Sequence, residues 1–263
     1  MERTDDLLNA LTASGHIKVG KDEAQREQMG KPFPLVLEPA DGFFKSFVNL
    51  QEWMQNNHEA VLKAASEYGA VMFSGFEIYT GEEWASILYK TSLKEMNYVG
   101  GAAVRKLIVG NDDRFTNMQV LTTNESPPSE PIPFHHELAQ TPAPPSHICF
   151  YCSINDAEGG STPIIRSDMV YEFLNKKYPD FTAKIEKLGC KYIKVAPEED
   201  DPSSALGRSW KSMFHIKTKA EAEEEMKKQD NTWEWLDNGD CKIISKVLPA
   251  VKVSSNGRKA FFN

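Results

Sequence analysis

What the chain lacks sets its first limits. No apolar run approaches the roughly 20 residues that a bilayer-crossing helix needs, so no membrane partner is expected. The N-terminus, MERTDDLLNALTASGHIKVGKDEAQREQMG, has no apolar core between a basic start and a small-residue cleavage site, and does not read as a secretory signal. Basic residues are outnumbered, 30 Lys and Arg against 38 Asp and Glu, and a net charge of −8 argues against a nucleic-acid partner. Four cysteines in 263 residues are too few for a disulfide scaffold. Cys149 and Cys152 form a single CxxC within ICFYCSI, a stretch that reads as a buried strand. Strand residues three apart face opposite ways, and no second CxxC exists to complete a zinc site. The pair is therefore expected to be buried and reduced, in keeping with a cytoplasmic setting. Internal repeats, low-complexity linkers and both phosphate-loop signatures, GxGxxG and GK[ST], are missing too.

What is present favours turns and strands. Fifteen prolines, 16 glycines and 10% aromatic residues argue against a helical bundle. Residues 1–30 are polar and read as a loosely held arm or a short helix, and FPLVLEP (33–39) as a strand. Apolar residues at helical spacing, Phe47, Leu50, Trp53, Met54, Val61 and Leu62, predict a helix over 44–68 that ends near Gly69. A strand follows at 70–76, and a second helix at 81–94. YVGGAAVRKLIVGN reads as a turn close to a pocket. SHICFYCSI (146–154) is expected as a strand, and 167–189 as two short helices broken at Pro179. KYIKVA, TWEWL, KIISKVLPAVKV and KAFF read as strands, with an acidic loop at 198–209 and an exposed helix at 220–229. Trp233 and Trp235 alternate on a strand and read as packing. The economical organisation is one α+β, β-rich domain over residues 31–263, after the polar segment 1–30.

The chemistry concentrates in PIPFHHELAQ (131–140). Imidazole nitrogen and carboxylate oxygen are the donors of the facial triad in mononuclear non-haem iron(II) enzymes. In an extended segment, residues i and i+2 share a face, so His135 and Glu137 can grip one ion while His136 turns to packing or to support of a ligand. By itself an HxE is short and common, and more often marks a surface loop or a satisfied histidine than a metal site. Further on, GGST supplies a tight turn with a hydroxyl at Thr162. That hydroxyl suits a carboxylate ligand or the turn itself.

FHHELAQ, followed by the 146–154 segment and then GGSTP, resembles the TfdA and taurine dioxygenase superfamily of iron(II)/2-oxoglutarate oxygenases, and within it the plant clavaminate synthase-like proteins. KPFPLVLEP, GAVMFSGF, YVGGAAVR, TTNESPP, DDPSSALGRSWKSMF and NGRKAFFN carry the resemblance in the same order, from about residue 31 to the last. It implies a double-stranded β-helix (a cupin-like jelly roll) with helices outside, and a reaction using Fe(II), 2-oxoglutarate and O2. There, decarboxylation to succinate drives oxidation of an unactivated C–H bond in a small metabolite. His135 and Glu137 would be iron ligands and Thr162 would contact the 2-oxoglutarate carboxylate. The resemblance also favours Asn124 and Glu125 as lining of the substrate mouth, although by its residues alone TTNESPP (122–128) fits a proline-terminated turn at least as well.

The same pattern requires a distal histidine and an arginine for the far carboxylate of 2-oxoglutarate. After Glu137 the chain has only His147, expected to pack, and His215; neither matches the distal ligand. Arg258 lies in an NGR turn that resembles a hairpin before the functional arginine. The expectation is thus a β-helix incomplete at its C-terminus, two ligands with weak, unselective metal affinity, and little or no oxygenase activity from these residues alone. The alternative is a non-catalytic relative acting as a binding or scaffold protein. A zinc hydrolase would need a general base and a third ligand that the sequence does not offer.

Overall fold

A computed structural model describes residues 2–110, 119–123, 125, 129, 131–155, 158–204 and 206–263. These fall into two units, each with its own apolar cluster. The first holds the described residues of Met1–Glu95, Leu107–Val120 and Tyr151–Asp156, and the second those of Met96–Lys106, Leu121–Phe150 and Ala157–Asn263.

In the first unit the polar N-terminal stretch opens as helix α1 (Glu2–Thr12), whose Leu7 and Leu11 are buried. Strand β1 (Ile17–Val19) follows, then the paired β2 (Arg26–Gln28) and β3 (Lys31–Phe33), then β4 (Leu35–Pro39). Leu35, Val36 and Leu37 are all fully buried, as a central strand requires. Helix α2 (Phe47–Tyr68) forms where the apolar spacing places it. Ser46 caps its start by accepting from the Asn49 amide, and Gly69, at φ 87°, ends it in the left-handed region. Its buried Leu50, Trp53, Met54, Ala64 and Tyr68 join Leu35 and Leu37 in one core, each large side chain contributing about 1.5–3 kcal/mol by burial. The helix is the crossover between β4 and the parallel β5 (Val71–Phe73), so the sheet runs β1-β4-β5. Helix α3 (Gly81–Tyr89) starts with a capping box of Thr80 and Glu83. Strands β6 (Leu107–Val109) and β7 (Val120–Leu121) pair with each other.

In the second unit, helices α4 (Ser167–Lys177) and α5 (Pro179–Leu188) divide at Pro179, which sits at the start of α5. Strand β8 (Ile193–Ala196), helices α6 (Trp210–Phe214) and α7 (Lys219–Lys228), and strands β9 (Thr232–Trp235) and β10 (Cys241–Ile244) follow. The three strands form an antiparallel sheet with β10 central: Cys241 stands opposite Ala196 on one side and Trp235 on the other. Trp210, Met213, Phe214, Ala222 and Met226 from the two helices pack on Ala196, Cys241 and Ile243. Trp233 and Trp235 pack against this cluster, and the Trp235 ring meets Trp210 edge-on at 5.1 Å. The hairpin of β11 (Val251–Val253) and β12 (Lys259–Phe261) lies against α4. Arg258 fixes it there, donating to Asp168 at 2.8 Å and Glu172 at 2.5 Å.

Among the described residues the largest sheets have three strands and none closes into a barrel. No described helix is long and apolar enough to cross a membrane. Three expectations are corrected. Residues 146–154 form no strand, and Ile148, Phe150 and Ile154 are exposed. Alternating apolar residues hold a strand only beside a partner, and no described strand pairs with this segment. Cys149 and Cys152 are accordingly exposed rather than buried, and His147, expected to pack, is exposed beside the Ser146 hydroxyl at 3.0 Å.

Candidate functional site

The HHE segment belongs to the second unit. Residues 131–136 have no regular structure, and the chain turns at 137–140. The extended path expected through Glu137 therefore ends at His136. Leu138 stands at φ 53°, a left-handed conformation costing a non-glycine residue about 1–2 kcal/mol. Its buried side chain, the buried Ala139, and the Thr141 amide and hydroxyl bonds to the Leu138 carbonyl hold it there. Backbone strain of this kind clusters at functional sites, and here it falls directly after Glu137.

The two histidines have different roles. His135 is exposed, and its Nδ1 lies 2.8 Å from the Pro133 carbonyl. A carbonyl can only accept, so Nδ1 is the donor in this contact, and Nε2 is the ring nitrogen that the contact leaves for a metal. Anchoring one ring nitrogen on a backbone carbonyl is how metal-binding histidines are commonly oriented. His136 is half-buried instead, with Nε2 2.7 Å from the Ser167 hydroxyl and its ring 4.6 Å from that of Phe262. Burial pushes His136 below its ordinary range, only partly offset by a hydrogen bond with the Phe262 backbone. Its nitrogens serve the fold.

Glu137 has a partner that the sequence did not announce. Arg105 Nη2 donates to Glu137 Oε2 at 2.8 Å, with the side chains 14% and 17% exposed. Arg105 Nη1 also donates to the Thr122 carbonyl at 3.1 Å and the Thr123 carbonyl at 2.6 Å. The guanidinium lies 4.6 Å over the Tyr98 ring, and Arg208 lies over the same ring at 5.1 Å. YVGG serves this stack: a Cβ on Gly101 would sit 2.1 Å from Tyr98 Cζ. The one signal available beforehand was that the glycine turn YVGGAAVR ends on an arginine.

Of the other expected residues, Glu125 pairs with Lys106 at 2.5 Å, and that ammonium holds its carboxyl below the usual range. Asn124 lies outside the described residues. Thr162 is exposed in the irregular stretch after Gly159 and Gly160, whose φ of 78° and 71° make the turn. Among the described residues, no hydrogen bond or ion pair brings Thr162 to His135 or Glu137. His215 caps α6 and approaches the Tyr98 carbonyl at 3.4 Å. No group of three or more His, Cys, Asp or Glu side chains among the described residues is placed to hold a metal. A facial triad needs three protein donors, so the residues present do not fit a complete iron site.

A family model described as taurine catabolism dioxygenase TauD, TfdA family matches residues 37–261. The chain is 36% identical over 244 residues to a clavaminate synthase-like protein of Arabidopsis thaliana, covering 91% of this chain and 72% of that protein. Over 207 residues it is 23% identical to the dapdiamide synthesis protein DdaC of Enterobacter agglomerans, covering 79% of this chain and 58% of that protein.

Proposed function

The chain belongs to the TauD, TfdA family of taurine catabolism dioxygenases, and from that membership we propose that it is an Fe(II)/2-oxoglutarate dioxygenase-like protein holding part of a metal site for oxidation of a small metabolite. In this reading His135 and Glu137 are two metal donors, Thr162 meets the carboxylate of 2-oxoglutarate, and Glu125 and Asn124 line the substrate mouth. The domain is 31–263, its frame a double-stranded β-helix, and its setting the cytoplasm.

The observation that carries the reading is the preparation of His135. Its Nδ1 is tied to the Pro133 carbonyl, that contact leaves Nε2 for a metal, and a carboxylate follows two residues later at a strained turn. Its neighbour His136 is bound into the fold by Ser167 and Phe262. No catalytic step is assigned to the metal, because two donors do not make the site. The second reading, a non-catalytic relative that binds or scaffolds, draws on the Arg105–Glu137 ion pair, which engages the one carboxylate of the motif.

Calorimetric titration with Co(II), an air-stable substitute for Fe(II), tests the donor assignment. The native chain should bind weakly, and H135A and E137Q should each weaken binding about tenfold or more. Equal affinity in all three proteins would remove both residues from the site.

A further inference from the structure

We propose that Arg105 is the standing counter-ion of Glu137, and that it keeps metal ions from the His135–Glu137 pair until the contact opens. The proposal rests on the reading of those two residues as metal donors.

The guanidinium is held without help from Glu137. Two backbone carbonyls, of Thr122 and Thr123, accept from Nη1, and the Tyr98 ring supports its face. That ring is braced from Arg208, and Gly101 leaves it room. Moving Glu137 away would therefore leave the positive charge in place. A divalent ion arriving at this carboxylate would meet a fixed like charge, in surroundings where side chains 14% and 17% exposed are screened poorly.

The contact is also built to exchange. Arginine grips a carboxylate most firmly with two parallel N–H bonds. Here Nη2 alone reaches Glu137, while the buried Nε has no hydrogen-bond partner among the described residues. A single bond can open while the rest of the arginine's anchorage stays intact.

The test is Co(II) titration of the native chain, R105M, H135A, E137Q and R105M/H135A, followed by calorimetry and visible absorption, with circular dichroism as the folding control. R105M should bind Co(II) about tenfold more tightly than the native chain, the scale of one removed like charge near the ion. Adding H135A should abolish that gain. R105K, which keeps the charge but loses the fork, should stay within about threefold of the native chain. If R105M does not fold, R105Q takes its place. Unchanged or weaker binding in R105M overturns the proposal, and leaves the donor reading standing where H135A still weakens the native chain. If H135A and E137Q change nothing in either background, the donor reading fails and the proposal fails with it.

Discussion

At the scale of single residues, the second unit concentrates positive charge around Tyr98, and each cation there depends on a particular neighbour. Lys194 lies beside Arg208. Its Nζ meets the Arg208 carbonyl at 3.4 Å and the Met213 sulfur at 3.7 Å. Burial, with the Arg208 charge beside it, pulls its ammonium down to about 8 from 10.5. Between those values the unfolded chain holds the proton and the folded chain does not, so native stability rises with pH. K194M should therefore stabilise the protein at neutral pH by about 1–2 kcal/mol, a gain discounted for partial solvent screening. The gain should be full below about 8 and fade toward 10.5, as read by urea unfolding at several pH values. Gly101 is the complementary case. G101A places a Cβ 2.1 Å from Tyr98 Cζ, in a ring fixed by two guanidiniums, and should cost about 1–3 kcal/mol in thermal unfolding.

At the scale of elements, local signals and long-range pairings part company. Helix α2 was legible because its apolar residues recur on one face, and Gly69 stops it. The division of α4 from α5 was legible from Pro179, and α7 from its charged, well-capped face. SHICFYCSI has strand periodicity equally clearly, yet it has no pairing strand among the described residues and remains irregular. Periodicity reports which face a strand would bury, but not whether a neighbour exists. The site divides in the same way. The donor types in HHE are visible in the sequence, whereas Arg105 is one of 30 basic residues and reaches Glu137 from 32 positions away. The bend at Leu138 was hidden because leucine is not a residue that announces a positive φ.

Arg258 shows a pairing of this long-range kind in a purely structural role, tying the β11–β12 hairpin to α4 through Asp168 and Glu172. Burial alone would push the Asp168 carboxyl up, but Arg166 and Arg258 together hold it below its usual value. Its contribution to stability is therefore present above the ordinary carboxylate range and is lost as pH falls through the lowered value. R258M should cost about 1–2 kcal/mol at neutral pH. It should also move the acid unfolding midpoint upward, because Asp168 then protonates sooner; circular dichroism from about pH 6 to 2 measures this.

At the scale of the molecule, family membership and the geometry of the described residues bear on different halves of the question. Membership supplies the chemistry expected of such proteins, and the residues supply His135, Glu137 and an arginine already paired with that glutamate. In the proposed reading, two donors with one engaged would leave weak metal affinity, and among the described residues no third ligand joins them. The measurement that bears on this most directly is succinate formation from 2-oxoglutarate by residues 1–263, supplied with Fe(II), ascorbate and air, beside H135A. The expected result is no succinate above the H135A background. Repeated turnover by the native chain, lost in H135A, would contradict the claim that these residues carry only part of the site.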